Sequence, residues 1–152
     1  MKKIITLVMA IMILLAAVGT AEINLVQDMI VPAGTGYVWL GNVDCSHMTM
    51  RIDYPEYGVV ESQNIRLELN DLSTVMLWHD ASTRCAVFDV EYLNGEIYAT
   101  GACGENPMIL PEYVAGIKDT NHDGIMWCAI AGNIIPAGTR IRVWTEEFSE
   151  VE

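Results

Sequence analysis

Lysine is almost missing from this chain of 152 residues. The three lysines are Lys2, Lys3 and Lys118, and the first two stand in an N-terminal segment that we expect to be removed. Without residues 1–21 the formal net charge changes from −12 to −14, because two lysines are lost and no acidic residue goes with them. Since phosphate binding requires a basic face, this composition argues against nucleic acid as a partner.

The N-terminal segment predicts export. Two lysines precede an uncharged apolar stretch over residues 4–18, and small residues at 19–21 allow a cut after Ala21. This order is typical of a secretory signal peptide. The stretch is shorter than the roughly 20 apolar residues that cross a bilayer. We therefore expect a signal peptide over 1–21 and one secreted domain over 22–152, located outside the cell or at its surface, without a membrane anchor after cleavage.

Motifs of common enzyme and metal sites are absent as well. The sequence has no C-x-x-C pair, which argues against structural zinc, and no Asn-x-Ser/Thr acceptor for glycosylation. No serine stands in a Gly-x-Ser-x-Gly context, and no nucleophile motif accompanies a histidine. The sequence therefore predicts a protein that is not an enzyme, and it names no catalytic residue and no organic cofactor.

Four cysteines are present in the expected mature domain: Cys45, Cys85, Cys103 and Cys128. An even number of cysteines in an exported chain favours two disulfide bonds, and four cysteines allow three connectivities.

The expected mature domain has the hydrophobic pattern of β-strands. Apolar residues alternate with polar ones from Met48 to Tyr54, from Ile65 to Leu69 and around Ile141. A single turn of helix is expected over Pro111–Gly116. We predict an all-β fold with little or no helix after the signal peptide, namely a disulfide-braced antiparallel β-sandwich of jelly-roll or Ig/cohesin-like type.

The pair Asn94-Gly95 predicts a hairpin with a two-residue type I′ turn. In that register Leu93 faces Glu96 and Ala86 faces Cys103. Cys103 would then share a face with Phe88 while Cys85 points to the other face, so a bond between the two cysteines would need a bulge. This slightly favours bonding Cys45 to one of them and Cys128 to the other.

A short repeat is visible at two places. Ile30–Thr35 and Ile134–Thr139 both contain Pro-Ala-Gly-Thr, and each precedes a stretch with a tryptophan. The repeat fits two interpretations: it marks equivalent strands in two packed sheets, or it is a favourable turn used twice.

The strongest functional motif is Asp119–Gly124. Oxygen ligands at its first, third and fifth positions and glycine at its sixth resemble the first half of a calcium loop of the EF-hand or dockerin type. The twelfth position is Ile130, where such loops have a bidentate acid. The motif therefore fits either a calcium site, with Asp119, Asn121 and Asp123 as ligands and further carboxylates supplied from elsewhere, or a polar turn that needs no ion.

Two other groups of residues fit a binding site or the core. Met48 and Met50 beside His47 provide soft copper ligands, but strand alternation places the methionines and the histidine on opposite faces and favours core methionines. Tryptophans and tyrosines could form a sugar-stacking face, although in strands such residues are more often core or cross-strand pairs.

Two functions follow as hypotheses. The first is a structural subunit of an extracellular sheath, tube, filament or surface layer, which self-assembles through sparsely guarded β edges or binds another surface protein, with calcium as a stabilising ion. The second is a monomeric, calcium-dependent module of cohesin-like fold class that binds carbohydrate or protein.

Overall fold

The computed structural model describes residues 21–55, 64–78, 84–103 and 114–148. These ranges contain ten β-strands and no helix, so the predicted all-β class is confirmed. The predicted signal peptide lies outside the described residues except for Ala21. The predicted helical turn is wrong for Val114–Gly116, which lie in a strand, while residues 111–113 are outside the described ranges.

The strands form two antiparallel sheets. The six-stranded sheet A has the order β1-β10-β3-β6-β7-β8, and the four-stranded sheet B has the order β2-β9-β4-β5. The strands are β1 (Ala21–Ile30), β2 (Thr35–Asp44), β3 (His47–Asp53), β4 (Asn64–Leu69), β5 (Leu72–Trp78), β6 (Cys85–Leu93), β7 (Glu96–Cys103), β8 (Val114–Lys118), β9 (Ile125–Ile135) and β10 (Arg140–Phe148).

The alternating residues of the sequence give each sheet one buried face. In β3, Met48, Met50 and Ile52 are fully buried, whereas the residues between them are partly exposed. The inward side chains of both sheets join in one hydrophobic cluster. Side chains that point away from this cluster form two outer faces, one on each sheet.

The predicted hairpin is confirmed in register. Leu93 pairs with Glu96 and Ala86 with Cys103, and the pairs between them follow in step. Asn94 and Gly95 have φ angles of 54° and 85°, and positive φ at both central positions is what a type I′ turn requires.

The two Pro-Ala-Gly-Thr turns lie side by side. The first connects β1 of sheet A to β2 of sheet B, and the second connects β9 of sheet B to β10 of sheet A. Val31 N–H donates to Thr139 O at 2.8 Å, and Gly138 N–H donates to Val31 O at 2.8 Å. The repeat therefore makes both crossings at one end of the molecule. Its copies lead into strands of different position, the edge strand β2 and the inner strand β10, so the repeat is a turn used twice and does not mark equivalent strands.

The sheets approach each other closely at Gly101 of β7. A side chain on Gly101 would meet Val75 and Leu77 of β5 and the ring of Phe88 on β6, with Cβ placed 2.9–3.0 Å from their nearest atoms. Phe88 is among the largest fully buried side chains. Because glycine has no side chain, position 101 leaves space in which the ring of Phe88 and the β5 side chains pack.

Candidate functional site

The loop between β8 and β9, which holds the predicted calcium motif, is built around the carboxylate of Asp119. Its Oδ1 accepts a hydrogen bond from Asn121 N–H at 3.0 Å, and its Oδ2 accepts one from Gly124 N–H at 2.7 Å. The side chain is buried, with 4% of its surface exposed. The bond from Gly124 is the main reason that the pKa of Asp119 is lowered, since it and the other backbone N–H groups outweigh the opposing effect of desolvation.

The other two predicted ligands lie further out. Asn121 and Asp123 are exposed, and Asp123 Oδ1 accepts a hydrogen bond from Ile125 N–H at 3.0 Å. The loop thus brings all three predicted ligands into one turn, where the two aspartates bond backbone N–H groups. Within the described ranges, no three His, Cys, Asp or Glu side chains converge on a point that could hold a metal ion. These contacts are those of the polar turn, and calcium binding stays a prediction.

The β6–β7 hairpin rests on this loop. Asp119 N–H donates to Gly95 O at 3.3 Å, and Tyr92 Oη lies 3.4 Å from Nδ1 of His122. Between the hairpin tip and the loop is an open cavity of about 480 Å³, whose wall includes Glu96 and Lys118. Because the wall carries side chains of both charge signs, the cavity suits a small polar molecule better than an apolar one.

The methionines beside His47 belong to the core. Met48 and Met50 are fully buried in the cluster between the sheets. His47 points to the outer face of sheet A, where its Nδ1 is 2.8 Å from Glu146 Oε2. Alternation along the strand separates the sulfur atoms from the imidazole, so the core interpretation is confirmed and these three residues do not form a joint copper site.

Strand β1 is an edge of sheet A and exposes a row of apolar side chains. Ile23, Leu25, Val26 and Ile30 have between 49% and 64% of their surface exposed. The register with β10 shifts between Leu25 and Gln27, which places Val26 in an irregular position of the ladder. The sequence has no lysine or arginine from residue 4 to residue 50, so this edge lacks the basic side chains that usually protect one.

The edge of sheet B lies beside β1. Gln27 of β1 donates a side-chain hydrogen bond to the carbonyl oxygen of Leu40 in β2, and β2 is paired on its other side with β9. One lateral side of the molecule therefore carries two edge strands. Our sequence reasoning missed β1 as a surface; the long gap without a basic residue was the signal that could have identified it.

All four cysteines are buried, and the structure contains no sulfur–sulfur bond between them. Burial, with the nearby Asp44 carboxylate, raises the pKa of the Cys45 thiol to about 12. Burial also raises the pKa of Cys128, with a further contribution from Cys45, so these two sulfur atoms are electrostatic neighbours. Tyr54 is likewise a neighbour of Cys103 and Cys85, and its pKa is raised by burial first and by these two cysteines second.

No protein-family model matches the chain, and no curated protein is significantly similar to it in sequence. No helix in the described ranges is long and apolar enough to span a membrane.

Proposed function

We propose that this protein is a non-enzymatic, secreted structural subunit that assembles with copies of itself outside the cell or at the cell surface. The observation that carries the proposal is the exposed apolar edge strand β1. An unpaired edge presents N–H and C=O groups to which a strand of another molecule can bond, and apolar side chains favour that contact by leaving water.

The positions of the four edges support an open assembly. β1 and β2 end the two sheets on one side, and β8 and β5 end them on the other, where β5 packs across β7 beside β8. If the first side of one copy meets the second side of the next, both sheets continue from molecule to molecule. Such a head-to-tail contact joins different surfaces of the two copies, and it generates a filament where the rotation between copies does not close into a ring.

A lysine on the β1 edge tests this contact. We expect Val26→Lys to convert assemblies of the exported protein into monomers, because a charge at the contact must lose its hydration when the next copy binds. Size-exclusion chromatography and negative-stain electron microscopy measure the result, each with calcium and with a chelator.

Thr100→Lys is the matched control, since it adds the same charge to the outer face of an inner strand, near Asp89 and Glu91. We expect this variant to assemble like the unmodified protein. A monodisperse monomer from the unmodified protein, with and without calcium, contradicts the proposal. If assembly persists in the chelator, calcium is not part of the proposed mechanism, and the proposed edge contact is unaffected.

We further propose that the two packed sheets form a β-sandwich braced by two disulfide bonds in the exported protein. Support comes from the even cysteine number and the burial of all four. Cys45 and Cys128 influence each other electrostatically, and Cys85 and Cys103 both influence Tyr54, so we propose these two pairs in place of the pairing that the sequence slightly favoured. Because Cys103 faces Ala86 in the ladder, the second bond requires a bulge at this end of the hairpin. Each bond forms when two thiols give up two hydrogen atoms to an external disulfide oxidant, which is reduced to a dithiol.

Intact-mass spectrometry tests whether the two disulfide bonds are present. The exported protein is expected to be about four hydrogen masses lighter than the same protein after reduction, and peptide mapping without reduction should find the two pairs named above. Equal masses before and after reduction would show four thiols and would reject the bracing. Other cross-linked peptides would reject the pairing alone.

A second candidate function is a monomeric binding module for carbohydrate or a protein ligand, with calcium bound at Asp119, Asn121 and Asp123. The exposed aromatic side chains of sheet B favour carbohydrate over protein as the ligand of such a module. Calcium that binds only the folded state must raise the melting temperature. A melting temperature that is the same with calcium and with a chelator would therefore contradict calcium binding.

A further inference from the structure

The outer face of sheet B has a regular composition across three strands. On β2 it presents Tyr37 and Trp39, with 42% and 61% of their surfaces exposed. In register with them on β9 are Ala131 and Ala129, and in register with these on β4 are Arg66 and Glu68. Two parallel rows thus run across the face, and each goes from an aromatic ring over an alanine to a charged side chain.

The aromatic end of these rows is a group of three rings. Tyr37 and Trp127 have ring centroids 6.2 Å apart and ring planes inclined by 34°. Trp127 also belongs to the outer face, in the same alternation as the two alanines of β9. Ala129 and Ala131 have only 0% and 1% of their surfaces exposed, so larger side chains cover them and the exposed aromatic rings supply the apolar surface of this face.

The charged end supplies hydrogen-bonding groups at the rim of this surface. Arg66 Nε donates to Glu68 Oε1 at 2.7 Å, so the two side chains are held in place while retaining other donor and acceptor sites. β4 lies about 10 Å from β2, at two strand spacings of about 4.8 Å each. Desolvation, and to a smaller extent the carboxylates of Glu68 and Asp71, raise the pKa of Tyr37.

We propose that Tyr37, Trp39 and Trp127, together with Arg66 and Glu68, form a binding face for a neutral polysaccharide. A pyranose ring has an apolar face of C–H bonds that packs on an aromatic ring, and a rim of hydroxyl groups that bond to fixed polar side chains. The aromatic surface with a polar border on one side matches both parts of such a ring.

The negative net charge of the protein favours neutral polysaccharides over anionic ones. The exported chain has a formal net charge of −14, and Arg66 on this face is already paired with Glu68. An anionic chain would meet repulsion from the whole molecule and find no unpaired cation among these five residues, whereas a neutral chain meets neither obstacle. The assembly contact uses the in-plane edges of β1 and β2, whereas these side chains project from the outer face of sheet B, so the two proposals can be tested separately.

Binding to cellulose, mannan and starch tests the proposal, with polygalacturonate as the anionic probe. Affinity electrophoresis and pull-down of the exported protein should show retention by at least one neutral polysaccharide and none by the anionic one. We expect Trp39→Ala to weaken that binding about tenfold or more, because it removes the most exposed ring of the face.

Trp144→Ala is the matched control, since Trp144 lies on the outer face of sheet A, where its ring stacks with Arg142. It should leave polysaccharide binding unchanged, and Val26→Lys should do the same while altering assembly. Retention by none of the three neutral probes overturns the proposal. Equal binding by the Trp39 and Trp144 variants also overturns it, and a loss of assembly in the Trp39 variant without any sugar binding assigns this face to a second copy.

Discussion

Phe88→Ala is expected to lower the free energy of unfolding by about 3–5 kcal/mol, the range for truncating a buried aromatic side chain. Phe88 is fully buried in the cluster that joins the sheets. Its removal loses the transfer free energy of the ring and leaves a cavity that the stiff strands around it cannot close. Denaturant unfolding followed by tryptophan fluorescence measures the loss.

Val87→Ala is the control for this change. Val87 is the preceding residue of β6, and it lies partly exposed on the outer face of sheet A. We expect its truncation to cost about 1 kcal/mol or less. Similar losses for the two variants would mean that the burial of Phe88 contributes far less to stability than its position between the sheets implies.

Gly101→Val is expected to lower the free energy of unfolding by a comparable amount, because it adds volume to the core where Phe88→Ala removes it. A side chain at this position meets Val75, Leu77 and Phe88 at 2.9–3.0 Å already at its Cβ. The sheets must separate or their side chains must leave favoured rotamers, and we expect a cost of about 3 kcal/mol or more. The same denaturant unfolding measures it, and Thr100→Val on the outer face of the same strand is the control.

The two core changes are coupled because they act on one space. In the double variant Phe88→Ala/Gly101→Val, the added valine fills part of the cavity left by the ring, so its stability should exceed that expected from adding the two single losses. Strict additivity would contradict the close approach of Gly101 to the ring of Phe88.

Much of the fold could be predicted because its signals are local. The alternation from Met48 to Ile52 sets the buried face of β3, and Asn94-Gly95 sets the β6–β7 register through the turn geometry that these residues favour. The helical turn over Pro111–Gly116 was wrong where the chain is described, since pairing of β8 with β7 overrides a weak local preference.

The sequence predicted which residues form the candidate site but not how their side chains are arranged. The spacing within Asp119–Gly124 identified a special loop, yet the sequence could not tell whether the carboxylate of Asp119 faces an ion or the backbone. In the structure it accepts bonds from Asn121 and Gly124. That choice depends on where Ser46 and the hairpin tip pack against the loop, and neither is a neighbour in sequence.

By itself the sequence determined the all-β class, the inward and outward sides of individual strands and the main hairpin, because each depends on neighbouring residues. Only the tertiary structure decided which strands are edges and which outer faces stay exposed. The same alternation places Trp39 and Trp144 on outer faces, but Trp39 lies on an edge strand while Trp144 lies on an inner strand beside an arginine. Exposure depends on strand order and on pairing over long sequence separations, which local patterns do not encode.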